Sequence, residues 1–534
     1  MFEIYLQEPH ALTFSLKPTS ERLLGMKPSE RDAVKEWVLE HVPEAKKKPS
    51  EWGAYIWRAP GKLVGTYANG DVTRTERLHK FLMPKLEKAG MIEAYDRERE
   101  LMPILMDSER EGIRCNVDKL RRDIKYYDDI LEICDGWLRL KLKVPWLNLD
   151  QDRDVADALH EAGVVTDWVH TPVKMRVLKS GVVKVTGGVR SVAKANMGLE
   201  KFADPKVAAV YGYRTRLATC LRMFMYSWLR MAEASGGLIY TRWNQVRQGG
   251  FDSVGARTGR LSSSPNFQNV PTAWLDKGDH YAHPNFLLFG FKLRPLPDMR
   301  GYFLPDPGEV WIKRDYSQQE IRLLAHFEDG SLLRKYQDNP DYDLHEDVRQ
   351  AIKEHAGLDL KRGPVKILNF GDIYGMGFKS FHAKTGISEP DYKKICAAKK
   401  VLLPDLAELD QEIKQRGKQK LPIRTWGGRV YFCEEPHFVK AHGRHMTFEY
   451  KLLNYLIQGS AADVTKQAVI NYHNHPDRKA RFILTVHDEI NASSPANRVK
   501  EEQKILGECM GDIKTSLFMK SDPVQGPTWG SVKK

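Results

Sequence analysis

The apolar, β-branched run Phe482-Ile483-Leu484-Thr485-Val486 leads without a break into His487-Asp488-Glu489. A run of this kind reads as a buried strand. Ending it in two adjacent carboxylates constrains the fold strongly, because an unpaired buried charge is costly and two neighbouring ones are worse. A cation, a metal or water must therefore meet the end of this strand. Along an extended strand successive side chains face opposite ways, so Asp488 is expected to face away from His487 and Glu489.

Three other stretches carry the same kind of tension. In "VWIKRDYSQQEIRLLAHF" (310–327) an apolar strand stops at Asp315 and a helix starts near Ser317. Asp315 is either a metal-binding carboxylate at a strand end or an ordinary turn residue. Ser317 and Glu320 have the spacing of a capping box. In "KRGPVKILNFGDIYGMG" (361–377), Pro364 suits a first helical turn. Arg362, Lys366, Phe370 and Tyr374 follow at intervals of four and form one stripe. Cations beside a helix N-terminus suit a triphosphate, and aromatics beyond them suit a base; a surface cation pair with two core aromatics is the plain alternative. Gly371 and Gly375 weaken that helix and call for a packing or functional reason. In "LLNYLIQGSAADVTKQAV" (452–469), Asn454 and Gln458 are polar i,i+4 neighbours among Leu, Ile and Ala. Their amides need partners, in a nucleic-acid groove or in the protein backbone. A long helical tract is expected over 445–474.

The chain has 534 residues, enough for about three or four domains, and its 83 basic against 70 acidic residues leave a net charge of +13. That surplus favours a polyanionic partner, nucleic acid or an anionic membrane. No apolar run reaches the roughly 18 residues of a membrane span. The start, "MFEIYLQEPH", lacks a basic segment followed by an apolar one, so no secretory leader is expected. The six cysteines are scattered without a CxxC pair, which reads as free thiols in a reducing cytoplasm and no zinc site. Residues 170–195 form a Val-, Lys- and Gly-rich basic arm, either a solvated hairpin or a contact to a phosphate backbone.

Taken in order, "TGRLSSSPNFQNVP" (258–271), "DYSQQEIR" (315–322), "RGPVKILNFGDIYG" (362–375), "NYLIQGSAAD" (454–463) and "VHDE" (486–489) resemble the signatures of family A, DNA polymerase I-like, DNA polymerases. The resemblance covers roughly 65–534. It implies an α+β right hand, with an antiparallel palm sheet and helical fingers and thumb. The expected boundaries are thumb 96–235, first palm part 236–328, fingers 329–450 and second palm part 451–534. It implies template-directed extension of a primer 3′-hydroxyl with dNTPs on primer–template DNA. The cofactor would be two Mg²⁺ ions, replaceable by Mn²⁺, held by Asp315 and Asp488. By the same resemblance Lys366 and Arg362 clamp the triphosphate, Lys366 also serving the leaving group, and His345 reaches the phosphates. Phe370 lies beside the incoming sugar, Tyr374 closes over the template position, and Glu320 excludes a 2′-hydroxyl. Arg260, Arg300, Asn454, Gln458, His487 and Glu489 are assigned to the DNA. Gln319 stands where the family usually has Ile or Leu, in a residue that lines the nucleotide pocket. Gly363-Pro364 also departs from the usual pair, and a shifted start of its helix is the expectation.

Residues 1–95 contain "YANGD", in which Tyr67 and Asp71 match the last exonuclease signature, Tyr-x-x-x-Asp. The earlier acidic signatures are missing. A two-metal nuclease needs about four carboxylates, so the expectation is a small remnant of a ribonuclease H-like 3′–5′ exonuclease. Proofreading is then absent or supplied by another chain, and a processivity factor is a further possible partner. Phage or plasmid replication in a bacterial host cytoplasm fits best. The competing readings are a single-subunit RNA polymerase-like enzyme, against which Glu320 argues, and a non-catalytic nucleic-acid-binding subunit.

Overall fold

A computed structural model of the chain describes residues 1–177, 182–193, 197–198, 201–247, 256–271, 284, 286–439 and 444–532. The chain divides into two compact units. One comprises Met1–Glu111, Thr241–Gln268 and Ile312–Val524; the other comprises Gly112–Tyr240, Asn269–Trp311 and Gln525–Lys534. The α+β expectation holds. The expected boundary at 95/96 falls inside the helix Ile92–Glu111, which belongs wholly to the first unit.

The first unit is organised by a four-stranded sheet, ordered Arg481–Val486, Glu489–Pro495, Glu309–Tyr316, Ser521–Gly526. Behind it runs the helix Leu452–Asn474, buried on nearly every side. Burial on all sides places this helix in the core. The tract expected over 445–474 begins only at Leu452; a short strand, Arg444–Met446, and a 3₁₀ turn precede it. The charged members of this helix, Asp463 and Lys466, are paired internally. Asp463 accepts from Arg429 Nε at 2.6 Å, and Glu98 binds both Arg429 and Lys466. All four side chains are almost inaccessible. Burial pushes the Lys466 ammonium down to about 8. This network joins the helix Ile92–Glu111, the turn at 425–429 and the helix Leu452–Asn474 in one locked register.

Every regular element of residues 1–95 is helical: Phe2–Gln7, Leu16–Leu24, Ser29–His41, Pro43–Lys47, a 3₁₀ segment Pro49–Arg58, Gly61–Lys88 and the start of Ile92–Glu111. A ribonuclease H-like remnant has no sheet to rest on here. Tyr67 and Asp71 do sit one turn apart on the helix Gly61–Lys88, but Lys17 ion-pairs with Asp71 and stands 4.3 Å from the Tyr67 ring centre. An internal ammonium thus engages both residues.

The second unit pairs the helices Val117–Leu142 and Pro205–Thr219, whose N-caps Asn116 and Asp204 accept backbone N–H bonds. The Arg214 guanidinium, buried, binds Asp135 at 2.7 Å. A short sheet, Leu238–Ile239, Ile113–Cys115, Phe303–Leu304, completes it. Within the basic arm Lys174–Val177 pairs antiparallel with Val183–Thr186, and residues 178–181 and 194–195 lie outside the described residues. The cysteines are free, and no helix of the described residues is long and apolar enough to cross a membrane.

Candidate active site

His487 and Asp488 are not part of a continuous strand. Val486 pairs with Glu489, so His487-Asp488 is the two-residue turn of a hairpin between Arg481–Val486 and Glu489–Pro495. Such turns need positive φ, and His487 adopts φ 56°. The expected alternation over 487–489 therefore fails, because it presumed extended backbone. The turn itself separates the side chains: His487 is exposed, Asp488 half-buried and Glu489 buried. The Tyr316 N–H donates to the Asp488 carbonyl at 3.2 Å, which pins the turn to the end of the Asp315 strand. Asp315 and Asp488 are thereby brought together. Burial, then the Asp315 charge, pushes the Asp488 carboxyl up to about 7.

Glu489 takes a different course. Its Oε2 lies 3.3 Å from Lys313 Nζ and its Oε1 accepts from Asn491 Nδ2 at 3.1 Å. Lys313 had no signal in the sequence beyond being a cation in an apolar strand, two residues before Asp315.

The capping box expected at Ser317–Glu320 does not form. The helix Gln319–Glu328 has Gln318 at its N-cap, in the left-handed region at φ 56°. Ser317 Oγ instead donates to Asp522 at 2.5 Å. Glu320 is released for another purpose: it ion-pairs with Arg260 and accepts from the Tyr374 hydroxyl at 2.7 Å. Burial and the Glu320 charge raise the Tyr374 phenol to about 12. Gln319 is buried and donates to Thr465 Oγ1 at 2.9 Å and to the Ala461 carbonyl at 3.3 Å. Its amide binds the helix Leu452–Asn474, a partner that Ile or Leu could not use, so the polar group is spent on packing between two helices.

The helix Arg362–Ile373 carries the expected stripe. Arg362 and Lys366 are exposed, Lys366 Nζ stands 5.9 Å from the Phe370 ring centre, and Phe370 stacks on Tyr374 with centroids 6.2 Å apart. Arg362 reaches Asp343 at 2.7 Å. Gly371 lies within the helix, but Gly375 lies beyond its end at φ +66°, where an added Cβ would come 2.6 Å from the Tyr450 ring. It is a chain reversal at which only glycine is unstrained. Asn369 Nδ2 donates to His345 Nδ1 at 3.0 Å. That bond leaves the proton of the neutral ring on Nε2. Burial first, then the Arg362 charge, lowers His345 to about 4.

Gln458 and Asn454 are half-buried on the helix Leu452–Asn474, and Asn454 Oδ1 is buried without a hydrogen bond. Arg260, His487, Gln268 and Thr465 line one small cleft. Gln268, unassigned in the sequence, donates to the Thr485 carbonyl and so ties the 258–271 segment to the strand before the turn. Arg300 belongs to the second unit, where it is buried with its guanidinium 4.1 Å from the Trp529 ring.

The chain is 26% identical over 483 residues to DNA polymerase I of Chloroflexus aurantiacus, covering 88% of this chain and 47% of that protein. It is 25% identical over 476 residues to DNA polymerase I of Bacillus subtilis, covering 86% and 48%. It thus spans about half the length of these relatives. A DNA-directed DNA polymerase of Pseudomonas phage M6 is 26% identical over 537 residues, covering 89% of this chain and 71% of the phage protein. The fold is like that of the POL domain of Pol1 from M. smegmatis, solved in complex with DNA primer-template and dNTP. The TM-score is 0.72 at 20% identity, covering 99% of this chain and 81% of the other. The family model for DNA polymerase family A matches residues 172–531, well over half the length, and the chain belongs to that family.

Proposed function

We propose that this protein is a template-directed DNA polymerase that adds dNTPs to a primer 3′-hydroxyl and releases pyrophosphate. The observation that carries the reading is the meeting of Asp315 and Asp488. The Tyr316–Asp488 backbone bond holds their strand ends together, and burial first, then the Asp315 charge, raises the Asp488 carboxyl. Two hard oxygen donors kept close at such cost fit Mg²⁺, or Mn²⁺ in its place. Bound there, two such ions would supply charge stabilisation for the attacking and leaving oxygens.

The remaining work falls to side chains. Arg362 and Lys366 present exposed cations that receive a triphosphate, with Lys366 placed to neutralise or protonate the leaving group. His345, neutral at pH 7, offers Nε2–H as a donor to a phosphate oxygen. Phe370 and Tyr374 give a stacked aromatic pair for the nucleotide and template position. Glu320, clamped between Arg260 and Tyr374, is a fixed carboxylate suited to exclude a 2′-hydroxyl. Asn454, Gln458, Arg260, His487 and Arg300 are assigned to primer–template DNA; buried Asn454 Oδ1 has hydrogen-bonding capacity to give. The phage relative supports a role in phage or plasmid replication. The occupied Tyr67–Asp71 pair supports proofreading that is absent or supplied by another chain.

Primer extension tests the reading. Asp315→Ala is expected to lose at least about a thousandfold in rate while still binding primer–template, since the lost group acts in the transition state. Unchanged extension would remove the catalytic assignment.

A further inference from the structure

The face of the sheet that presents Asp315 carries a cation that none of the roles above uses. Lys313 is two residues before Asp315 on the same strand, and alternation places both on one face. The neighbouring strand of the sheet is Glu489–Pro495, and there Lys313 Nζ meets Glu489 Oε2 at 3.3 Å. Both side chains are less than a tenth exposed, at 6% and 8%. Asn491, two residues on from Glu489, holds the second carboxylate oxygen at 3.1 Å. From behind, Gln503 of the helix Val499–Gly511 donates to the Lys313 carbonyl at 3.4 Å. Arg260 is a further cation near the pair, and its charge acts on Asp488. Among the described residues no group of three or more His, Cys, Asp or Glu side chains is arranged to hold a metal. Glu489 is adjacent to the Asp315–Asp488 pair in sequence and charge, and its carboxylate is engaged by Lys313 and Asn491.

We propose that Lys313 is a positioning residue that withdraws Glu489 from the metal-binding set and lowers the charge the metals meet. The buried Lys313 ammonium offsets the Glu489 carboxylate and leaves the charges of Asp315 and Asp488. The ion pair and the Asn491 bond engage both Glu489 oxygens, so that two carboxylates rather than three address the cations. The metal-binding strength of the site is in this way held below what its "HDE" sequence would give. A site that must load and release metal with each nucleotide gains from being no tighter than the reaction requires.

The inference rests on the metal reading of Asp315 and Asp488, and direct Mn²⁺ binding to the free protein separates the two. Free Mn²⁺ is counted by electron paramagnetic resonance, without DNA, nucleotide or turnover. Lys313→Met frees the Glu489 charge and is expected to tighten Mn²⁺ binding at least threefold. Glu489→Gln leaves the Lys313 charge unopposed and is expected to weaken it by at least threefold. The double variant, with a neutral pair of similar volume, returns to within twofold of the wild type. A merely structural ion pair would lower thermal stability in the single variants and leave Mn²⁺ affinity unmoved. That outcome in whichever single variant folds overturns the proposal. Absence of saturable Mn²⁺ binding in the wild type overturns the metal reading, and the proposal with it.

Discussion

Tyr374→Phe isolates one hydrogen bond in the nucleotide site. The Tyr374 hydroxyl donates to Glu320 Oε2 at 2.7 Å, and Arg260 holds the other carboxylate oxygen. Glu320 itself is 9% exposed. A hydrogen bond to a charged, desolvated acceptor contributes about 1.5–3 kcal/mol. Because Arg260 remains, the lower end applies, about 1.5 kcal/mol, roughly a tenfold change in any quantity that depends on where the carboxylate stands. If Glu320 excludes the 2′-hydroxyl, the ratio of kcat/KM for dNTP over rNTP should fall about tenfold in Tyr374→Phe. It should fall further in Glu320→Ala. Single-nucleotide insertion kinetics give both ratios. The double variant should discriminate no worse than Glu320→Ala alone, since the hydroxyl acts through the carboxylate. Unchanged discrimination in Tyr374→Phe, or additive losses in the double variant, would refute this coupling.

Other outcomes follow from the same geometry. Asp488→Asn should abolish primer extension while primer–template binding, read by fluorescence anisotropy, persists. Glu98→Gln strips charge from a partner of Arg429 and Lys466 and should destabilise the first unit by about 3–5 kcal/mol, visible in urea unfolding of the whole chain. The neutral imidazole of His345 makes a contribution to stability that is intact above about pH 6.5. It is lost as the pH falls toward about 4, because the unfolded chain takes up the proton first; His345→Gln should flatten that part of the pH profile of thermal unfolding. Gly375→Ala meets both a left-handed φ and the Tyr450 ring, and should lower stability by about 1–3 kcal/mol.

The elements that carry chemistry were legible because they are local. The strand through Val486, the helix stripe from Arg362 to Tyr374 and the strand end at Asp315 each follow from a few residues of periodicity. What failed was decided at long range or without a composition signal. The turn at His487-Asp488 contains no Gly or Asn, so nothing distinguished it from two more strand residues. Ser317 fits a helix cap, yet Asp522, 205 residues away, captures its hydroxyl. Gln319 looked out of place in a nucleotide pocket because its partner, Thr465, lies on a helix 146 residues later. The Glu98–Arg429–Asp463–Lys466 network joins positions that no window of sequence could connect. The all-helical character of residues 1–95 was hidden by a five-residue signature that a single helix turn can satisfy.

The two-residue turn at His487-Asp488 has a further consequence. Surface turns are ordinarily where a chain absorbs insertions and deletions most freely. Here the turn is the shortest that can join two antiparallel strands, and one of its two residues is the proposed metal-binding carboxylate. Any added residue would either displace Asp488 from Asp315 or slip the Arg481–Val486 strand against Glu489–Pro495, exchanging its buried and outward side chains. The length of this turn is therefore as tightly specified as the identity of its aspartate, and homologous chains should vary in composition around it long before they vary in spacing.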